Sequence, residues 1–337
     1  MNTWLPIISG WVTGAPDITN PATVSDYDVL LLGSYYCDLI FNGLPELPRL
    51  GLDLFGTGFD LVAGGCYRSS TALKRLGLRA GWLVDFGDDT FSRLVLDMAA
   101  RDGLDDSLFR HHPFPVRRIS VAFSFVQDRG FISYADPLPP PVAVDTIRAH
   151  RPRAILISHL EYGPEHEALV AAARAVGAFV YMDCQSGAVN LATPGVREAV
   201  ARVDVFGPNE SEALRLTGAA TVEAALEQLA ALGSVVVIKR GALGALARAG
   251  SLTLRSPALA VDVADTTGAG DCFNAGFLYG HLTGHDLAGC LRRGNICGGL
   301  ATVSRGTGPL PDAAQLEEML RAIDEHGALK GFRAAAP

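Results

Sequence analysis

Residues Asp265-Thr266-Thr267-Gly268-Ala269-Gly270-Asp271 decide how this chain is read. The preceding run, Leu259-Ala260-Val261-Asp262-Val263, is expected to form a buried strand. After the segment, Phe273, Phe277, Leu278 and Leu282 recur at helical spacing. Gly268 and Gly270 let the backbone turn tightly and approach a ligand with no Cβ in the way. Free N–H groups at the start of the following helix make a seat for an anion. Asp271 stands in that seat. A carboxylate there repels a bound phosphate unless it has a task, and the fitting task is to take a proton from a hydroxyl attacking that phosphate. The plainer reading is an N-cap aspartate after a glycine turn.

Upstream, the pattern is α/β. Asp28 to Gly33 and Arg79 to Val84 are apolar strands, with a helix from Ser69 to Leu76 between them. A second helix, Asp88 to Arg101, carries acids in its first turn, as the helix dipole prefers. From Ala154 onward, strands 154–158, 178–183, 203–206 and 235–239 alternate with helices 164–176, 210 onward and 222–232. The tail after Asp271 is mostly helical, over 271–283, 286–303 and 312–325. Such alternation predicts a three-layer α/β/α sandwich around a mostly parallel sheet covered on both faces. Two early segments, near 38–62 and 116–134, break the pattern. The first reads as short exposed strands and turns. The second reads as a hairpin around Gln127-Asp128-Arg129-Gly130. Together they are expected to pair into a small β-sheet lid over the strand ends, where open α/β sheets bind ligands.

A chain of 337 residues with 49% hydrophobic content can bury a large core. Lys+Arg 28 against Asp+Glu 36 leaves a net charge of −8, and no basic run marks a nucleic-acid partner. No stretch reaches the roughly 18 apolar residues of a membrane span. Cys37, Cys66, Cys184, Cys272, Cys290 and Cys297 form no C-x-x-C pair and read as scattered thiols of a reducing compartment. Residues 1–26 read as an N-terminal arm and a poor signal peptide, residues 27–326 as the folded domain and residues 327–337 as a tail. The expected location is the cytoplasm.

Laid out this way, residues 28–326 resemble the ribokinase-like (PfkB family) carbohydrate kinases. Asp265 to Asp271 with Cys272-Phe273-Asn274-Ala275-Gly276 resembles the family's C-terminal signature. Gly207-Pro208-Asn209-Glu210-Ser211-Glu212 resembles its N-x-x-E segment, and Lys239-Arg240-Gly241-Ala242-Leu243-Gly244 its K-x-G-x-x-G turn. Gly64-Gly65 before a helix ending at Arg75-Leu76-Gly77 is a weaker match. The resemblance implies an ATP-dependent kinase that phosphorylates a hydroxymethyl group of a sugar or sugar-like alcohol. A nucleoside kinase of the same fold, or a non-catalytic sugar- or nucleotide-binding relative, are the alternatives.

Residue by residue, the resemblance makes Asp271 the base and Gly268, Ala269, Gly270 and Asp271 the anion hole for the transferred phosphoryl group. Asn209 and Glu212, three apart on one helical face, would position Mg2+ and phosphate, largely through water. Their other reading is a helix cap with an exposed acid. Gly241 and Gly244 would admit the nucleotide, or simply make a turn. Thr266, Asn209 and Lys239 belong to the same nucleotide set, although the Lys239 side chain reads as structural or solvent-facing. Asp38 would accept hydrogen bonds from sugar hydroxyls, with Gly64 and Gly65 close by. Where the family often carries a sugar-binding asparagine, this chain has Ser69, preceded by Arg68. Arg68 either faces the pocket, reading a carboxylate or anionic sugar, or lies on the surface. Asp265 and Thr267, with residues 301–308, would hold a monovalent cation such as K+. The lid edges offer themselves to a second copy of the chain.

Overall fold

The computed structural model describes residues 25–124, 129–139, 143–185, 187, 189–304 and 310–326. Most of the expected arm, the core of the hairpin turn, the tail and half of the 301–308 loop lie outside these residues.

In chain order the strands are β1 (Val29–Leu32), β2 (Tyr35–Asn42), β3 (Gly58–Gly65), β4 (Ala80–Phe86), β5 (Phe109–His111), β6 (Arg118–Ser124), β7 (Arg129–Ala135), β8 (Ala154–Ile157), β9 (Phe179–Asp183), β10 (Val205–Gly207), β11 (Val235–Lys239), β12 (Ala245–Ala249) and β13 (Leu252–Ser256). The helices are α1 (Cys66–Arg75), α2 (Thr90–Arg101), α3 (Ala143–His150), α4 (Pro164–Val176), α5 (Val196–Arg202), α6 (Glu210–Thr217), α7 (Val222–Ala230), α8 (Ala269–Leu282), α9 (Leu287–Leu300) and α10 (Ala313–His326).

Nine strands form one sheet in the order β13-β12-β11-β10-β9-β8-β1-β4-β5. It is parallel from β11 to β5, and β12 and β13 add antiparallel at one edge. β1 lies between β4 and β8, with Val29 opposite both Ala80 and Ala154. Both faces are buried. Val29 and Leu31 join one core with α1, α2, α8, α9 and α10, while Leu30 and Leu32 join another with α3 to α7. Burial on both faces explains why these strands read as continuous apolar runs rather than alternating ones.

The two early segments do pair. β3, β2, β6 and β7 make a separate four-stranded sheet. β2 is less exposed than the sequence suggested, since Tyr35, Cys37, Asp38 and Ile40 are all buried. Two other expectations need correction. The run Leu259–Val263 is no strand: β13 already ends the sheet, so the run has no neighbour to pair with, and Val263 is 61% exposed. The first turn of α2 contains no acid. Asp89 instead caps the helix, accepting from Phe91 N at 2.9 Å and Ser92 N at 3.0 Å.

Candidate active site

The glycine-rich segment runs into α8 as a preorganised turn. Asp265 Oδ1 accepts from Thr267 N at 2.9 Å and Thr267 Oγ1 at 2.8 Å, while the amides of Ala264 and Asp265 donate to Thr302 O. Gly268 then caps α8 at φ +77, a conformation that favours glycine. Crowding demands glycine too, because a Cβ here would sit 2.5 Å from Arg68 Cδ. First-turn amides of a helix have no acceptor within the helix, so the positive end of α8 opens at Gly270 and Asp271.

A cavity of about 610 Å3 lies in front of this turn. Gly268 to Asp271, Thr266, Asn209, Glu212, Lys239, Gly241 and Gly244 all line it. Thus the structure brings the whole sequence-derived catalytic and nucleotide set around one space. The run Leu259–Val261, unpaired as a strand, supplies apolar wall to the same cavity. Gly241 and Gly244 turn the chain at φ +55 and +80, and a Cβ on Gly241 would meet open space.

Asn209 and Glu212 form a capping box at α6. Asn209 Oδ1 accepts from Glu212 N at 2.9 Å, and Glu212 Oε2 accepts from Asn209 N at 2.8 Å. The cap reading and the cavity-lining position coexist. Burial, reinforced by the charge of Asp183, raises the Glu212 carboxyl above its ordinary range.

Lys239 is not solvent-facing. Its Nζ donates to Asp183 Oδ1 and Oδ2 at 2.8 and 2.7 Å, and to Asn274 Oδ1 at 3.3 Å. Asn274 Nδ2 donates back to Asp183 Oδ2 at 2.6 Å, and Tyr181 OH donates to Asn274 Oδ1 at 2.8 Å. This buried network ties β9, β11 and α8 together behind Asp271. Sequence reading missed Asp183, Asn274 and Tyr181. The available signal was an acid closing the apolar run Phe179–Asp183.

The Asp271 carboxyl is pushed up to about 7. Burial is the main cause and the Asp183 charge adds to it; Lys239 and Arg68 oppose, and Asp38 contributes a smaller rise. A carboxylate poised near neutrality is matched to proton abstraction at physiological pH.

On the small sheet, Asp38 is 6% exposed and sits opposite Ser120 and Val62. Gly64 is the residue that fits beside it, because a Cβ there would run into the Asp38 carboxylate. Gly65 caps α1 at φ 63. Arg68 and Ser69 follow in the first turn of α1, 2% and 1% exposed. Arg68 therefore does not lie on the surface. Beyond β8, Glu161 and His159 were also unread in the sequence. They line a second cavity of about 850 Å3 with Gly33, Ser34 and Asp85. Burial pushes the Glu161 carboxyl up to about 7, and His159 Nε2 stands 3.4 Å from its Oε1.

Comparison with known proteins places this geometry. A profile of the pfkB family carbohydrate kinases matches residues 56–313. Ribokinase of Bacillus subtilis is 26% identical over 307 residues, spanning 87% of this chain and 99% of its own. A cytidine kinase of Thermococcus kodakarensis is 44% identical over 103 residues, 29% of this chain and 37% of that protein. Among solved structures, Arabidopsis thaliana ribokinase complexed with ribose and ATP superposes with a TM-score of 0.73 at 21% identity, covering 88% of this chain and 99% of its own. With the match spanning most of the chain and the signature residues gathered at one cavity, the chain belongs to the pfkB family of carbohydrate kinases and is an ATP-dependent kinase.

Proposed function

We propose that the protein transfers the γ-phosphoryl group of ATP to a hydroxymethyl group of a sugar or sugar-like alcohol. The observation that carries this reading is the position of Asp271. Its carboxyl sits in the first turn of α8, on the nucleotide-sized cavity, pushed up to about 7. Asp38, Gly64, Gly65 and Ser69 border the acceptor side, and Asn209, Lys239, Gly241, Gly244 and Thr266 the nucleotide side. Asp271 takes the proton of the attacking hydroxyl. The amides of Gly268 to Asp271 receive the charge of the transferred group and require no reorganisation to do so.

The residues present fit Mg2+ as the metal of the reaction. Asn209 and Glu212 each keep a polar atom beyond the capping box, on the wall of the cavity. So sparse a protein contribution suits an ion that retains several waters. Mg2+ there would neutralise phosphate charge. Asp265 and Thr267 hold their turn beside the anion hole, where carbonyl and hydroxyl oxygens suit K+.

The small sheet closes over the acceptor, and its outer face docks a second copy of the chain. The protein works in the cytoplasm, with no nucleic-acid or membrane partner. Among the described residues no helix is long and apolar enough to cross a membrane.

The test is Asp271→Asn assayed with ATP and a panel of pentoses, hexoses, sugar acids and nucleosides. Turnover should vanish while nucleotide affinity stays near wild type. Turnover within about tenfold of wild type would remove Asp271 from the base role, since general bases contribute at least about a hundredfold.

A further inference from the structure

Arg68 is a buried cation in an unusual place. It is 2% exposed, in the first turn of α1, and α1 packs against α8. Its side chain crosses directly behind Gly268: a Cβ on that glycine would lie 2.5 Å from Arg68 Cδ, 2.9 Å from Nε and 3.2 Å from Cγ. Gly268 is the N-cap of α8. A cation at the N-terminus of a helix is opposed by the helix dipole. Here two helix starts and a guanidinium converge. Such a concentration of positive potential suits a site that handles a highly charged anion.

The charged and titratable groups bearing on Asp271 are Asp183 from β9, Lys239 from β11, Arg68 and Cys66 from α1, Asp38 from β2 and the neighbouring Cys272. Within this set Lys239 is matched by Asp183 at 2.7 Å. Arg68 is the second cation of the set and the one behind the loop. Its charge favours the ionised forms of Asp271 and Cys272.

We propose that Arg68 is a fixed cation of the transfer step, holding positive charge behind the Gly268–Asp271 loop to stabilise the phosphoryl group as it passes from the nucleotide to the acceptor. This rests on the kinase reading above. In the step, the acceptor oxygen bonds to the γ-phosphorus, the bond from that phosphorus to the bridging oxygen breaks, ADP leaves with the electron pair, and the hydroxyl proton passes to Asp271. Arg68 is not among the residues that line the nucleotide-side cavity. It is a positioning residue that acts through the loop, and because it lies in the scaffold it pays no reordering cost at the moment of transfer.

The experiment compares wild type with Arg68→Met, Arg68→Gln and Arg68→Lys at saturating ATP. The neutral variants should lose roughly tenfold to a hundredfold in kcat, below the loss for a direct oxyanion donor. Their KM for the acceptor should stay within about threefold of wild type, as for an interaction made in the transition state. The lysine variant should recover most of kcat. In the Met variant the acid limb of the kcat/KM pH profile should move to higher pH, because a cation that favours ionised Asp271 is gone. Unchanged kcat and an unmoved acid limb would overturn the proposal. So would a loss confined to acceptor KM, which would make Arg68 a substrate-reading residue, or neutral variants that fail to fold, which would make it structural. A wild-type protein that binds ATP but phosphorylates no acceptor would instead sink the kinase reading itself, and this proposal with it.

Discussion

The Asp271 carboxyl, in the first turn of α8, holds its proton far above the ordinary carboxylate range. That property comes first from burial and then from charges far apart in the chain: Asp183 and Asp38 raise it, and Lys239 and Arg68 oppose them. With the folded-state value near 7, kcat/KM should rise with pH along an acid limb centred near 7 rather than near 4, and an initial-rate profile between pH 5 and 9 checks this. The same shift acts on stability. Folded Asp271 keeps its proton to about pH 7, whereas in the unfolded chain it is lost near the ordinary 3.8. Between those values the native state binds more protons, so this group's contribution to stability falls as pH rises and the penalty is complete above pH 7. Asp271→Asn removes the penalty. At pH 8 the variant should be more stable than wild type by roughly 1–2 kcal/mol, allowing for partial solvent access, with the difference fading toward pH 4. Urea unfolding at both pH values reads this directly; a variant less stable than wild type at pH 8 would contradict the assigned environment.

At the scale of elements, the strand-to-helix junctions carry the site, and legibility differed with how local each junction is. Asn209 and Glu212 lie three apart on one turn, so their partnership was visible in the sequence, and it is realised as a capping box on the cavity wall. The Lys239–Asp183–Asn274 network joins three elements separated by up to 91 positions, which no local pattern announces. The run Leu259–Val263 failed as a strand for a related reason: an apolar run becomes a strand only when a neighbour is free to pair. The two sets predict different mutational costs. Glu212→Gln keeps the acceptor side of the cap, so its stability should stay within about 0.5 kcal/mol of wild type, while the Mg2+ concentration for half-maximal rate should rise about tenfold. Lys239→Met leaves Asp183 buried without its cation and should cost about 3 kcal/mol or more. Adding Asp183→Asn should recover part of that loss, because the stranded charge is gone. A melt and a magnesium titration on the three proteins separate these outcomes.

For the molecule as a whole, the large sheet was legible because burial on both faces writes itself as continuous apolar runs, and the small sheet was legible only as two segments that break the alternation. What the sequence did not reveal is how differently its two faces are made. The register puts Asp38, Ser120 and Ser133 on one face together with Ile40, Val62, Ala122 and Phe131, and Leu39, Phe41, Phe59, Leu61, Ile132 and Tyr134 on the other. The first face is mixed and holds the Asp38 carboxylate, 6% exposed. On the apolar face Phe59 is 54% exposed, Ile132 64% and Tyr134 50%, with Phe41 and Leu61 also open. A contiguous patch of large apolar side chains on a sheet surface is a mark of association, and a second copy supplies a patch of the same chemistry by two-fold symmetry. The expected state in solution is therefore a dimer, with sedimentation giving twice the chain mass. Phe59→Asp with Ile132→Asp would place two charges on each side of such an interface and should yield monomers that stay folded, because neither side chain belongs to the core. β2 lies inside this sheet between β3 and β6 and carries Asp38, so separating the copies should also loosen the acceptor side: KM for the hydroxyl acceptor should rise several-fold while ATP affinity at the α8 cavity holds. A wild-type mass of one chain, or a monomeric variant with unaltered acceptor KM, would show that the apolar face serves neither assembly nor the acceptor site.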